Sequence, residues 1–381
     1  MTKKIISTEI IRHGHNLYFS LWDRNAICSM SENGNDFRIL YTYSDAKLNT
    51  GGLTGKAAIS CNRCFFAPFK SDEIVVYDLV SDNVTSLKLN KAYFNNKKIL
   101  NFSAKFWNVI GNEKTVYMFG YGYPAIIKID AKTLETTYLF DYAEGHIESI
   151  FNSDKLNEAE GYFGNGYAEI DGKYYIASGV CSGVWEFDIK TESLSLIKLK
   201  SNAEGFFSIA SYKNDLLLTS IDSGDCTLYI WEIGNKNVRS IALPVGGLWN
   251  VPIVLDGDVY LFPWTTNEHV VRINEDSGNC DVCDRFDQLL KTELGEKDSV
   301  LAVELNESEI FFILVNKGVW VTYDLKKDEQ VCVLPEITDQ NYLSRLQKVE
   351  DDLLFHRLMN SSEVIREEDM PLSEFLLRVL N

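Results

Sequence analysis

The sequence has few of the features that place a protein in a membrane or in an oxidising compartment. Its first residues, MTKKIISTEIIRHG, lack the apolar core of a secretion signal, and its longest aliphatic and aromatic run, IFFILV at 310–315, is far too short to cross a bilayer. Eight cysteines in 381 residues are too sparse for a disulfide framework, so we expect them to be reduced. These absences predict a soluble, cytoplasmic protein.

Positive charge is also scarce. The chain has 37 Lys and Arg residues against 55 Asp and Glu residues, a net charge of −18, and no long basic stripe offsets this excess. Such a field repels phosphate backbones and anionic lipids. We therefore expect no nucleic acid and no membrane among the partners, and we expect a monomer.

The common cofactor and metal motifs are absent as well. No EF-hand loop, phosphate-binding glycine loop, nucleophile elbow or HExxH pattern is present, so the sequence predicts no cofactor and no metal site. Two CxxC pairs, Cys61/Cys64 and Cys280/Cys283, have the spacing of zinc ligands. We expect them in distant hairpins and interpret them as ordinary thiols, with a transient disulfide between Cys61 and Cys64 as the alternative.

What the sequence does contain is a repeat. A short apolar strand, a polar turn and a more aromatic strand recur eight times, with turn centres near residues 14, 62, 114, 172, 214, 257, 307 and 351. The mean spacing of about 48 residues is typical of solenoids and propellers. A second hairpin with its own turn, such as VWEFDIKTESLSLIKL at 184–199, lies between successive copies. Each unit is therefore predicted to have four antiparallel strands.

Such a sheet has apolar side chains on both faces and cannot bury them alone, so the units must stack face to face in a ring. The prediction is an all-β fold, a β-propeller of about eight four-stranded antiparallel blades, in which Phe262 is enclosed. Eight hairpins indicate eight blades, the last from 343–368, and seven blades with a decorated C-terminus is the alternative.

Residues 1–368 are expected to form a single domain closed by the N-terminal strand. Residues 369–381 have apolar side chains at helical spacing and predict an amphipathic helix packed on that domain.

A family resemblance adds to this interpretation. The pairs Tyr77-Asp78, Phe187-Asp188 and Tyr323-Asp324 precede the last turn of their units, and Gly51-Gly52 and Gly246-Gly247 form glycine doublets. With the period and the four strands per unit, these features resemble bacterial β-propellers of the kelch-like kind. The resemblance implies the architecture, and it assigns no functional residue.

Strand direction then predicts which face binds. Within a meander, the turns after the first and third strands share one rim, the bottom, while the other connections share the top. The bottom turns are short and uniform and the top connections vary, and binding usually uses variable loops on a fixed scaffold. Aromatic, amide and hydroxyl side chains at the top strand ends could line a central depression. The predicted ligand-binding residues are Trp22, Phe69, Trp107, Tyr121, Asn165, Tyr167, Phe206, Trp249, Asn250 and Trp264.

The favoured hypothesis is a binding or scaffold propeller that holds a protein, peptide or small carbohydrate ligand at this depression. On that hypothesis Trp249→Ala and Trp264→Ala leave stability largely intact. The alternative is an enzyme, a hydrolase, lyase or isomerase, that acts on a sugar or modified peptide. Its catalytic candidates are His146, Glu144 and Glu148 on the long 141–165 insertion. The competing interpretation of that insertion is an acidic loop with an incidental histidine.

Overall fold

The alternating apolar segments form strands throughout the computed structural model. It describes residues 9–22, 26–31, 36–43, 52–90, 105–121, 125–139, 163–235, 237–265, 269–274, 277–284, 286–288, 300–306, 309–314, 318–324 and 329–333, with the single residues 7, 123, 327 and 344. These residues contain 28 strands in seven four-stranded antiparallel sheets, and each sheet uses four strands in chain order.

The strands of the first three sheets lie before residue 139. Sheet 1 contains β1 (Ile10–His13), β2 (Asn16–Leu21), β3 (Ala26–Ser31) and β4 (Arg38–Thr42). Sheet 2 contains β5 (Thr54–Ser60), β6 (Arg63–Pro68), β7 (Glu73–Asp78) and β8 (Asn83–Lys88). Sheet 3 contains β9 (Phe106–Gly111), β10 (Thr115–Gly120), β11 (Ile126–Asp130) and β12 (Thr136–Tyr138).

The other four sheets follow the same plan. Sheet 4 contains β13 (Ala168–Ile170), β14 (Lys173–Ala177), β15 (Gly183–Asp188) and β16 (Ser193–Lys198). Sheet 5 contains β17 (Phe206–Tyr212), β18 (Asp215–Ser220), β19 (Thr227–Glu232) and β20 (Val238–Ala242). Sheet 6 contains β21 (Ile253–Leu255), β22 (Asp258–Leu261), β23 (Val271–Asn274) and β24 (Asn279–Val282). Sheet 7 contains β25 (Val300–Asn306), β26 (Glu309–Leu314), β27 (Val319–Asp324) and β28 (Glu329–Val333).

Each sheet buries both of its faces, as β10 shows. Val116 and Met118 pack against sheet 2, while Tyr117 and Phe119 pack against sheet 4. Successive side chains of a strand point to opposite faces, so alternate residues contact different neighbouring sheets. A buried strand of this kind has no polar face, which is why the second strand of each unit is apolar at nearly every position.

The sheets close a ring. Seven apolar clusters join sheet 1 to 2, 2 to 3, 3 to 4, 4 to 5, 5 to 6, 6 to 7 and 7 back to 1. The last of these contains Phe19 of sheet 1 and Trp320 of sheet 7, whose ring centroids lie 5.1 Å apart in an edge-to-face arrangement. The predicted β-propeller is therefore confirmed, and each sheet is called a blade below.

The direct contact between blades 1 and 7 supports the count of seven blades. The eighth predicted hairpin, at 346–359, lies outside the described residues, and so do residues 1–6 and the predicted C-terminal helix. Closure by the N-terminal strand stays a prediction for that reason. Residues 284 and 286–288 are helical, and Phe286 is buried between blades 6 and 7. Among the described residues, no helix is long and apolar enough to cross a membrane.

The first strand of each blade lies nearest the central axis, because neighbouring blades contact one another mainly through their first strands. The fourth strand lies at the outer edge of its blade and has exposed residues. The turns after the first strands use residues that tolerate positive φ, as at Asp256 (51°) and Gly257 (89°). Turns of neighbouring blades contact one another here, since Arg63 Nη1 donates to the carbonyls of Ala131 and Lys132, both at 2.8 Å. This rim is the predicted bottom.

The aspartates that end several third strands cap the turns that follow them. Asp78 Oδ1 accepts hydrogen bonds from the backbone N–H groups of Val80 at 3.1 Å and Ser81 at 2.9 Å. Asp130 and Asp188 make the same pair of bonds in blades 3 and 4. The aromatic-Asp pairs of the repeat are thus a packed ring followed by a turn cap.

Phe262→Ala tests the buried ring of sheets. Phe262 is 0% exposed and contacts Phe286 and Phe312 between blades 6 and 7. Loss of the ring should lower the free energy of unfolding by about 3–5 kcal/mol. Urea denaturation measures the change, and a loss below about 1 kcal/mol would place this residue at a poorly packed site.

Asp78→Asn tests the turn caps. The bonds from the Ser81 backbone and the Arg63 guanidinium hold the pKa of Asp78 well below its usual range. Its folded pKa is depressed, so its contribution to stability is present above about pH 4, the unfolded value, and is lost as pH falls towards the folded value. Wild type should be the more stable at pH 7, and the difference should shrink below pH 4 in urea titrations. Asp281→Asn, at an exposed carboxylate on β24, controls for net charge, and a pH-independent difference would contradict this account.

Candidate functional site

Six aromatic rings meet at the top of the propeller, where they form what we call the aromatic mouth. Trp22, Phe69, Tyr121 and Trp264 follow the second strands of blades 1, 2, 3 and 6, while Trp107 and Phe207 belong to the first strands of blades 3 and 5. All are half-buried except Phe69, which is buried. Five blades therefore contribute rings to one surface.

The rings form a continuous path. Centroid distances are 5.4 Å for Trp22–Phe69, 5.5 Å for Phe69–Trp107, 5.8 Å for Trp107–Tyr121 and 5.4 Å for Trp264–Phe207. Trp107 and Trp264 complete it at 6.0 Å. Blades 3 and 6 are not neighbours in the ring, so this last contact crosses the central axis. The top of the propeller is thus spanned by aromatic side chains.

Backbone irregularities supply two of the rings. In β9 the pairing passes from Phe106 to Asn108 and omits Trp107, and in β17 it passes from Phe206 to Ser208 and omits Phe207. A β-bulge adds one unpaired residue and re-aims its side chain. Trp107 and Phe207 are the added residues, which is why they join the mouth while their strand neighbours pack between blades.

Lys105 holds three of the rings in place. Its Nζ donates to the carbonyls of Lys70 at 2.7 Å and Ser71 at 2.8 Å, and it lies 3.3 Å from a carboxylate oxygen of Asp72. Its backbone N–H donates to the carbonyl of Phe69, and its carbonyl accepts from Tyr121 N–H, both at 2.8 Å. This side chain is only 12% exposed. Lys105 therefore links the top loop of blade 2, which carries Phe69, to the first strand of blade 3, which carries Trp107.

The Trp22 indole packs directly against Gly52. Gly52 has a φ of 75°, and a Cβ added there would lie 2.3 Å from Cη2 of the Trp22 indole. Gly52 is thus required both by its backbone conformation and by the ring above it. Lys70 Nζ lies 5.9 Å from the Trp22 centroid, in cation–π range.

Half of the predicted contact residues meet in the mouth, namely Trp22, Phe69, Trp107, Tyr121 and Trp264. The predicted set did not include Phe207, Gly52 or Lys105. The signal for Phe207 is the triplet aromatic-aromatic-polar, which occurs both at 106–108 and at 206–208.

Two of the other predicted residues are core residues. Phe206 is buried against Tyr229 between blades 4 and 5, with ring centroids 5.4 Å apart, and Trp249 is 1% exposed between blades 5 and 6. The expectation that Trp249→Ala leaves stability intact is therefore revised, since removal of a fully buried indole creates a cavity. Trp249 and Trp264 do lie on the same rim, because Trp264 N–H donates to the Leu248 carbonyl at 2.7 Å.

Tyr167 contacts Tyr174 of β14, with ring centroids 5.7 Å apart. The predicted amides, Asn165 and Asn250, join neighbouring blades instead. Asn250 Nδ2 donates to the carbonyls of Pro263 at 3.0 Å and Val300 at 3.4 Å.

Neutral polar groups continue this link around the inner strands. Asn108 Oδ1 accepts from Gly166 N–H at 3.0 Å, and its Nδ2 donates to the Gly164 carbonyl. Asn165 N–H donates to the Phe207 carbonyl at 2.5 Å, and Ser208 Oγ donates to the Asn250 carbonyl at 3.0 Å. Blades 3 to 7 are thus joined in succession just below the rings.

Buried polar atoms without a hydrogen-bond partner among the described residues occur at the same level. They include Nε1 of Trp107, Nε1 of Trp249 and Oδ1 of Asn165. Leaving such a group unpaired costs about 1–3 kcal/mol. By contrast two charges of neighbouring inner strands are paired, since Lys56 Nζ lies 2.8 Å from Glu9 Oε2 across blades 2 and 1. Burial raises the pKa of Glu9 and the Lys56 ammonium opposes that rise.

The catalytic candidates His146, Glu144 and Glu148 lie outside the described residues. One histidine-carboxylate pair is present elsewhere on the top rim, where His269 Nδ1 and Asp287 Oδ2 share a hydrogen bond. Asp287 is buried and also accepts from the Val270 N–H at 2.8 Å. The seven described cysteines form no disulfide, and no cluster of metal-binding side chains occurs among the described residues.

Comparisons with known proteins agree with this architecture. No protein-family model matches the sequence, and no curated protein is similar to it in sequence. The structure is similar to a catalytically inactive virginiamycin B lyase from Staphylococcus aureus with quinupristin, at a TM-score of 0.58 and 10% identity over 83% of this chain and 96% of the lyase. A streptogramin B lyase gives a TM-score of 0.56 at 10% identity, over 82% and 94% of the two chains. A chain of a mitotic checkpoint complex gives 0.54 at 9% identity, over 83% and 89%. At these identities the likeness shows the propeller fold alone.

Lys105→Met tests whether this residue positions the mouth. The variant keeps the aliphatic stem but leaves two carbonyls without their donor, which should cost about 1.5–3 kcal/mol. Acrylamide should quench tryptophan fluorescence more strongly, because Trp22, Trp107 and Trp264 are half-buried while the other four indoles are fully buried. Lys173→Met removes a more exposed lysine, which pairs with Glu186 on blade 4, and it should change quenching little. Equal quenching in the two variants would show that Lys105 does not position the rings of the mouth.

Proposed function

We propose that this propeller is a binding or scaffold protein that holds a protein, peptide or carbohydrate ligand at its aromatic mouth. The observation that carries the proposal is the Trp107–Trp264 contact across the axis, which makes one surface from rings of five blades. Half-buried indole and phenol rings give a large contact area with little side-chain entropy to lose, and such rings dominate binding energies at interfaces.

The support for the mouth is of the kind that a binding surface needs. Lys105, Gly52 and the two bulged strands fix the rings from below, so little ordering is left for the ligand to impose. The bottom rim differs, because its described turns are short and join neighbouring blades through hydrogen bonds such as those from Arg63. The finer, kelch-like assignment is likewise a proposal, supported by the aspartates that cap the turns after third strands.

A second candidate function is an enzyme that acts on a sugar or a modified peptide. The His269–Asp287 pair favours it, because a buried carboxylate that orients an imidazole is an arrangement that general bases use. His269 lies between β22 and β23, in the connection of blade 6 that also carries Trp264, and Asp287 follows β24. Mass spectrometry of a bound ligand after incubation, with wild type and with His269→Gln, separates catalysis from binding.

Trp264→Ala tests the binding role. Binding would be screened on a glycan array and on a displayed random-peptide library, and affinities of the selected molecules would be measured by calorimetry. Loss of the central ring should weaken binding at least about tenfold, as expected for an anchor residue. The control Tyr41→Ala removes a half-buried ring from the outer strand of blade 1 and should retain the wild-type affinity. The proposal fails if neither library gives a ligand, or if Trp264→Ala binds as wild type does.

A further inference from the structure

We infer that the ligand of the aromatic mouth is a neutral carbohydrate, one hydroxyl of which bonds to both Trp107 and Asn165. The inference rests on the proposed function, since it names the ligand class of the same site. It is carried by three features of the described residues: Lys56 and Lys105 are paired with carboxylates, a buried donor and a buried acceptor have no partner among these residues, and the side chains above them are aromatic.

The paired charges argue against recognition of an ion. Around the mouth Lys56 is paired with Glu9, Lys105 with Asp72, and Lys70 lies over the Trp22 ring. A cationic or anionic ligand group gains most from an opposite charge that is not already compensated. The polar groups of the inner strands that join blades 3 to 7 are neutral amides and hydroxyls.

The unpaired atoms define the chemistry of the missing partner. The Trp107 indole N–H can only donate, and the Asn165 Oδ1 can only accept. These residues lie on neighbouring inner strands, because Asn108, next to Trp107, bonds to Gly164 and Gly166 on either side of Asn165. A hydroxyl group donates and accepts through one oxygen, so it satisfies both atoms. An ammonium group can only donate and a carboxylate can only accept.

The aromatic surface fits the rest of a sugar. A pyranose ring presents polarised C–H groups on its faces, and these pack against the electron-rich faces of indole and phenol rings. The path from Trp22 to Phe207 places five aromatic rings in succession, each with its centroid within 6.0 Å of the next. Both atoms are buried, so the hydroxyl reaches them as the Trp264 ring moves away from Trp107, whose position Lys105 fixes.

The experiment compares substitutions that remove the polar groups of the two residues, with a neutral glycan taken from the array. Trp107→Phe keeps a ring but removes the N–H, and Trp264→Phe is its matched control in the same cluster. Asn165→Leu removes the side-chain amide, with its acceptor oxygen, at nearly constant volume. Trp107→Phe and Asn165→Leu should each weaken glycan binding by about two- to tenfold, the value of a neutral hydrogen bond, and Trp264→Phe should weaken it less.

Two further readouts separate ligand contact from a structural role. Asn165→Leu should unfold at an equal or higher urea concentration than wild type, because the buried Oδ1 that it removes has no partner among the described residues, and a loss of stability would contradict the assignment. Glycan binding should also diminish the circular-dichroism couplet that two indoles 6.0 Å apart produce, and an unchanged couplet would exclude separation of the two rings.

Failure of the inference can be told apart from failure of the proposed function. If only peptides bind, and Trp264→Ala abolishes that binding, the mouth is a binding site but carbohydrate is wrong. A glycan that binds Trp107→Phe and Asn165→Leu as tightly as wild type overturns the inference as well. If neither library gives a ligand that depends on Trp264, both proposals fall together.

Discussion

The fold depends on the need of each four-stranded sheet to cover two apolar faces at once. A strand such as β10, with Val116 and Met118 facing one neighbour and Tyr117 and Phe119 the other, is stable only between two sheets. A linear stack would leave the outer faces of its end sheets in water. The Phe19–Trp320 contact solves this problem, because it joins the last described sheet to the first. Ring closure is thus a consequence of residue alternation.

Closure also divides the connections into two rims with different chemistry. At the bottom, tight turns are held by local caps, by aspartates such as Asp78, and by bonds between neighbouring turns. At the top, the inner strands are linked by the Asn108, Ser208 and Asn250 hydrogen bonds, and aromatic rings lie above them. These hydrogen bonds stabilise the closed circle of blades, and none of them involves an aromatic side chain of the mouth. The aromatic surface is therefore an addition to the scaffold, which does not need it for closure.

Period and alternation predicted much of this architecture, because both follow from local residue order. The first-strand turns near 14, 62, 172 and 257 lie where the repeat places them. Trp264 and Trp249 were predicted for the same rim and do share it. Alternation could not predict which aromatic residues reach the mouth, because a β-bulge shifts the side-chain alternation by one position. Phe206 was therefore assigned to the mouth when its neighbour Phe207 occupies it.

Trp249 shows the same limit of prediction, since it was assigned to the mouth but lies in the core. It occupies the position of Trp107 in its repeat, yet it is buried between blades, because Trp249 pairs with Pro263 while the register of β9 skips Trp107. Equivalent positions can therefore hold the same side chain in a core or at a surface, and a single backbone irregularity decides between them. The bulges at Trp107 and Phe207 leave ladder positions unpaired, and the mouth they create covers an indole N–H and an amide oxygen that have no partner among the described residues. Such features cost stability, and residues that cost stability without a packing benefit are expected at functional sites.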